Sequence, residues 1–365
     1  MNLYLAGDDS LKLLRHARQS DDLMLVPAPL LGEKERCVDS ACLSGMLPAD
    51  LLVPTPMHPL ELWFPDAGSR CQSRLVRAHV CPTALPEGSY LEVLDARGDP
   101  SPFSASHEGH VYVESVALTL LSAARMLYGQ VTRGRLSTNA ALIRLSALAM
   151  ELCGLYARDP LAPATGQMAY DLPQIASVCE TARLLDQLGG SPGVKLARRA
   201  AAYANDGSGS AMETLWYFAF CLPPRLGGIH LERPLQNVPI EWPPGARELA
   251  CHERLRPDFH WPRYRRVCEY DSELHKNPRA FYEDRDRAKD YGLCELGYFP
   301  ITDQDTASAD AMLAFLRLFV RSIEGAEDDN FRRRMRRVLG DPQVNAARSL
   351  LRALLVPPTL RWQDE

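Results

Sequence analysis

Two hydrophobic rhythms divide this chain, and they predict where its strands and helices lie. The segments 61–65 (ELWFP), 73–81 (SRLVRAHVC), 89–96 (SYLEVLDA) and His110 to Glu114 are short, rich in β-branched or aromatic residues, and separated by turn-forming groups such as Asp66-Ala67-Gly68; they read as strands. Segments 11–19 (LKLLRHARQ), 113–129 (VESVALTLLSAARMLYG) and 140–157 (AALIRLSALAMELCGLYA) instead repeat their apolar residues at helical spacing, as buried helices do. Asp171 to Leu188 reads as a further helix, which the glycines and proline of 189–193 break before the short basic helix 194–204. Between Leu47 and Leu60 proline is too dense for long helices or central strands.

After about residue 205 the rhythm changes. Ser210 to Trp216 opens a helix, and 235–242 (LQNVPIEW) reads as a strand that Pro243-Pro244-Gly245 turns back. Asp258 to Trp261 is extended, Pro262 to Arg265 is a turn, and Val267 to Asp271 alternates with period two, which together predict a β-hairpin. A helix from about Arg279 to Leu296, capped by Gly297, and a closing strand 298–302 follow. The tail from Ser308 reads as two helices, and the second carries five arginines between Arg332 and Arg337.

The hairpin carries the candidate chemistry. Residues two apart on a strand share a face, so Glu269 and Asp271 point the same way, and the partner strand can bring Asp258 beside them. Converging carboxylates raise one another's proton affinity, and a divalent cation is the usual compensation. Mg²⁺, or Mn²⁺ in its place, suits oxygen donors and completes its shell with water and substrate phosphate.

The order Pro257-Asp258-Phe259, Glu269-Tyr270-Asp271, His275, an amphipathic helix, then Gly297-Tyr298 resembles the PD-(D/E)XK nuclease superfamily, and within it the DUF559 and Vsr-like endonuclease-like domains. That resemblance implies an α/β architecture: an N-terminal mixed α/β accessory or DNA-recognition region over 1–200, a restriction-endonuclease-like αβββαβ core over 201–307, and a C-terminal helical extension over 308–365. It implies Asp258 and Glu269 as metal ligands, Glu213 on the preceding helix as a further one, Asp271 or His275 orienting the attacking water, and Lys289 or Arg287 meeting phosphate. Two departures stand out: Ser272 takes the place of the usual Gly, and Asp271 stands where the superfamily has its catalytic Lys. Glu213 has a second reading, because Ser210-x-x-Glu213 is a capping box.

Composition adjusts this picture only slightly. With 365 residues, 46% hydrophobic and 24% charged, the chain has length for two cores and the balance of a soluble globular protein. Its net charge of −5 counts mildly against nucleic acid, which a local basic patch such as Arg332–Arg337 can override. No apolar run is long enough to span a membrane and the start lacks a secretion signal, so a cytoplasmic setting with reduced cysteines is expected. No Walker loop occurs. The expectation is therefore a metal-dependent endonuclease-like protein acting on DNA, with no membrane partner and with room for a homodimer or a protein partner. The alternatives are a catalytically inactive DNA-binding regulator or antitoxin-like protein on the same fold, and a purely protein-binding module.

Overall fold

A computed structural model describes residues 1–28, 43–80, 85–100, 102–103, 109–271 and 278–356, the side chains of 44 and 278–284 excepted. The architecture is mixed α/β with small sheets, and the chain divides into two compact units, Met1–Ala204 and Asn205–Glu365.

In the first unit β1 (Asn2–Tyr4), β6 (His110–Glu114), β5 (Tyr90–Asp95) and β2 (Leu23–Pro27) form a sheet in the order β1-β6-β5-β2. Only the β1–β6 pairing is parallel, with Leu3 opposite Val111. A separate parallel pair joins β3 (Leu60–Phe64) to β4 (Val76–Val80). The helix α1 (Gly7–Gln19) packs on the sheet, while α2 (Val116–Thr132) and α3 (Thr138–Leu152) are apolar on most sides and correspondingly buried. The smaller α4 (Val178–Gln187) and α5 (Val194–Ala201) pack against each other and against α2. Instead of running from Asp171, α4 begins seven residues later. Pro173 disfavours helix before it, and Ser177 with Glu180 makes a reciprocal capping box that fixes the start.

The second unit begins with α6 (Ala211–Cys221), whose Leu215, Trp216, Phe218 and Phe220 are all fully buried. Its sheet has the order β7-β8-β9: β7 (Phe259–Trp261) runs antiparallel to β8 (Arg266–Asp271), and β8 runs parallel to β9 (Gly297–Thr302), with α7 (Pro278–Leu293) making the crossover. On one side Phe259 and Trp261 join Phe220 and Phe319 in an aromatic core, with Phe220–Trp261 and Trp261–Phe319 centroids each 4.9 Å apart. On the other side Val267 packs with Leu255 and Tyr291. A one-turn helix α8 (Asp303–Thr306) leads into α9 (Ala309–Ile323), α10 (Asp329–Gly340) and α11 (Pro342–Leu355).

Three expectations need correction here. Residues 235–242 are not a strand: they make only single bridges, Leu235 with His260 and Ile240 with Leu255. Pro234 and Pro239 remove ladder donors, and Asn237 sits in the left-handed region at φ 52°. Among the described residues the tail after residue 308 holds three α-helices, because Pro342 starts a new one with Asp341 as its cap. Helix α7 stops at Leu293, and Glu295 at φ 53°, not Gly297, takes the left-handed turn. Gly297 is instead the first residue of β9, where a Cβ would press on the Arg266 side chain at 2.9 Å.

Candidate functional site

The β7–β8 register places Phe259 opposite Cys268, and one further step along each strand sets Asp258 opposite Glu269. Both carboxylates line one cavity of about 270 Å³, together with Asn237, His252, Arg254, Arg256, Tyr270 and Arg287. Alternation explains the placement: the aromatic residues on either side of His260 face the core, so Asp258 faces away from it.

Each carboxylate is held by named donors. Asp258 Oδ2 accepts from the Tyr270 amide at 2.7 Å. Glu269 is buried, and both its oxygens are engaged: Arg287 Nη1 donates to Oε2 at 2.9 Å and the Tyr291 hydroxyl donates to Oε1. Glu213 is also buried, and its Oε2 accepts from the Gly209 amide at 2.7 Å and from Asn237 Nδ2 at 2.6 Å. Ser210 does cap α6, accepting from the Glu213 amide at 3.0 Å, but the Glu213 side chain reaches Gly209 rather than closing the box. Gly207 makes this possible. At φ 80° it lets the loop pass so close to Gln236 that a Cβ would stand 2.8 Å from its carbonyl oxygen, which brings Asn237 to Glu213.

The electrostatics follow from the crowding. Loss of water and the charges of Glu213 and Glu269 hold the Asp258 carboxyl well above the usual carboxylate range, against the opposing Tyr270 amide and Arg287. Burial likewise raises Glu213, opposed by Gly209, Asn237 and Ser210. Burial and the Glu269 charge push the Tyr291 hydroxyl up. For Arg287 burial acts downward, yet the Glu269 carboxylate outweighs it and raises the guanidinium. The acids are close enough to repel one another.

The remaining expected residues are placed less centrally. Asp271 ends β8 opposite Thr302, half-buried, and is not among the residues lining the cavity. Lys289 is exposed and pairs with Asp286 at 2.6 Å, one turn back on α7. Helical spacing separates it from the site, because Arg287 and Tyr291, four apart, share the face that meets Glu269 while position 289 turns away. His275 lies outside the described residues. Among the residues in the cavity wall that the sequence did not single out are Arg254, Arg256, Tyr270 and His252. The signal for the arginines was present, since they precede Asp258 by four and two positions in an extended segment and so share its face. His252 is set by the fully buried Asp290, which accepts from the amides of Cys251 at 2.8 Å and His252 at 2.9 Å and stands 2.7 Å from His252 Nδ1.

The donor set of Asp258, Glu269 and Glu213 is all carboxylate oxygen, the kind that hard divalent cations select. As they stand, no group of three acidic, histidine or cysteine side chains among the described residues closes on a single ion. Both Glu269 oxygens are engaged by Arg287 and Tyr291, and Glu213 Oε2 by Gly209 and Asn237. On α10, Arg333, Arg334, Arg336 and Arg337 are exposed, whereas Phe331, Met335, Val338 and Leu339 face inward. No described helix is long and apolar enough to cross a membrane. No protein-family model matches the chain, no curated protein is significantly similar to it, and no solved structure matches it at a significant level. The class that fold and site define is thus a mixed α/β protein with a cavity walled by carboxylates and arginines.

Proposed function

We propose that the second unit is a divalent-cation-dependent phosphodiesterase acting on DNA, built on a nuclease-like α6–β7–β8–α7–β9 arrangement. The observation that carries this reading is one cavity in which Asp258 and Glu269 stand beside Arg254, Arg256 and Arg287. Carboxylates to hold a cation and guanidinium groups to hold phosphate are the two things phosphodiester hydrolysis needs. Asp258 and Glu269 would hold Mg²⁺ or Mn²⁺, with Glu213 behind them. When bound, the cation would lower the pKa of its water and offset charge on the phosphate. The chain's own groups do the rest: Arg254 and Arg256 orient the phosphate, the Tyr270 amide fixes Asp258, and Asn237 fixes Glu213. The exposed arginines of α10 supply a sequence-independent grip on the backbone.

Incubating the full chain with supercoiled plasmid and Mg²⁺ or Mn²⁺ tests this. Nicking should depend on the cation, and Asp258→Asn should lower its rate by at least about 100-fold, as expected when a metal's direct surroundings are altered. The capture of both Glu269 oxygens favours a second reading, a DNA-binding regulator without catalysis on the same framework. Salt-dependent DNA binding with no cation-dependent nicking would select it.

A further inference from the structure

The first unit holds a cavity of about 380 Å³, inside the range of about 300–1,000 Å³ typical of small-molecule sites. Its wall is drawn from the start of α1, from β3 and β4, and from α2. The strands that lead into those two helices, β1 and β6, are the parallel pair of the four-stranded sheet, and the carboxyl ends of parallel strands are where α/β folds commonly take up ligands. The wall is fixed from behind. Glu114 Oε1 accepts from Trp63 Nε1 and Ser122 Oγ, both at 2.7 Å, and from the Gly7 amide at 3.3 Å, and all three donors line the cavity. A wall held in this way needs little reordering when a ligand enters.

Asp8, Glu61, Arg77 and Arg125 bring two charges of each sign to that wall, and one of each is left over once the internal pairs are made. Glu61 is matched: its Oε1 accepts from Arg77 Nη1 at 2.7 Å, and its Oε2 stands 3.6 Å from His79 Nε2. Asp8 makes no hydrogen bond or ion pair among the described residues. Partial loss of water, followed by the Glu61 charge, holds its carboxyl above the usual range against Lys12 and Arg15. Arg125 has no acidic partner among the described residues either: it lies over the Trp63 ring, 5.6 Å from the centroid, and its Nε donates to the Pro192 carbonyl at 3.1 Å. An indole face and a carbonyl steady a guanidinium without neutralising it. The same wall offers apolar surface from Leu11, Trp63, Ala123 and Met126.

We propose that this cavity binds a free amino acid with an apolar or aromatic side chain. The ammonium group meets Asp8, the carboxylate takes a guanidinium fork from Arg125, and the side chain lies against Trp63, Leu11 and Met126. A ligand with one charge of each sign answers both leftover groups and keeps the wall in balance, whereas a purely cationic or anionic ligand answers one and leaves the other unmatched. Every residue of the site belongs to the first unit, so the inference stands apart from the phosphodiesterase reading of the second.

The experiment is calorimetric titration of the full chain with each of the standard amino acids, followed, for the tightest binder, by its decarboxylated amine and its deaminated acid. An apolar or aromatic amino acid should bind with a Kd below about 1 mM. The amine and the acid should each bind at least about tenfold more weakly, the usual contribution of a hydrogen-bonded charge. Asp8→Asn, with circular dichroism to verify folding, should weaken the amino acid by about tenfold or more and leave the deaminated acid unchanged. Arg125→Met should weaken the amino acid equally and leave the amine unchanged. Binding of the amine as tightly as the amino acid would overturn the proposal in favour of a cation site, and equal binding of the acid would overturn it in favour of an anion site. Absence of binding by every amino acid at about 10 mM would overturn it outright, and these comparisons on the native chain hold whether or not a variant folds.

Discussion

Glu151 in the first unit and Asp258 in the second are both carboxylates withdrawn from water, and the structure treats them in opposite ways. Glu151 is fully buried and receives a two-pronged contact from Arg15, with Nε to Oε1 at 2.7 Å and Nη2 to Oε2 at 2.8 Å. Beside it, Arg18 spends its donors on the carbonyls of Glu151, Gly154, Tyr156 and Pro173. Burial alone would raise Glu151, but the charge and hydrogen bonds of Arg15 together with the charge and amide of Arg158 more than reverse it, and the carboxyl falls below its usual range. Asp258 is raised, by burial first and then by the charges of Glu213 and Glu269, which the Tyr270 amide and Arg287 do not offset. A buried acid matched to its counterion belongs to the framework, whereas one raised by burial and by neighbouring acids in a cavity marks a candidate site.

The comparison breaks most visibly at Arg15. Arg15→Ala leaves Glu151 charged and buried without its main partner, so the first unit should lose about 3–5 kcal/mol, read by urea unfolding at pH 7. If the loss is under about 1 kcal/mol, the range of an exposed ion pair, the contact contributes little.

Glu114 sharpens the comparison, because it is buried in the same unit with no cation bonded to it among the described residues. Trp63 Nε1 and Ser122 Oγ each donate to it at 2.7 Å, yet burial pushes it up to about 7 from the ordinary 4.5. The folded state therefore binds this proton more tightly than the unfolded state. Its contribution is favourable at low pH and is lost as pH rises from about 4.5 to about 7. The slope should cost up to about 3 kcal/mol over that window, and melting temperatures of Glu114→Gln against the native protein should converge on the acid side and differ in slope above it.

Asp258→Asn, the substitution expected to stop cleavage, should raise stability. Its carboxyl has the same sign as Glu114: the cost of ionising it is absent below the ordinary carboxylate range and complete once the pH exceeds the raised value. In chelator at pH 8 the variant should therefore melt higher, with the gap closing near pH 4. A lower melting temperature at pH 8 would mean that Asp258 is a matched acid like Glu151. Lys289→Ala marks the small end of the series: its exposed pairing with Asp286 should contribute no more than about 0.5 kcal/mol, and the plasmid-nicking rate should not change.

How far such a site can be read without coordinates depends on the range over which each signal acts. The hairpin was legible because alternation is local, and register then brings Asp258 opposite Glu269. The failure at 235–242 came from the same method, since an apolar stretch with prolines looks like a strand until Asn237 adopts its left-handed turn. Helix α7 was legible as a helix, but which of Arg287 and Lys289 faces the acids depends on how the helix is rotated over the sheet. Glu114 was hidden because it ends a strand whose other residues fit burial, and its partners Trp63 and Ser122 lie 51 positions before it and 8 after it. Arg15 and Arg18 look like the solvent face of an amphipathic helix, and only packing against the end of α3 turns them inward.

The division of the chain after Ala204 has an evolutionary consequence. The donors named above for Glu213, Asp258 and Glu269 all come from residues 207 to 291. Recombination that swapped the leading segment for an unrelated one would leave those bonds intact. What precedes residue 205 supplies none of the named bonds to these three acids.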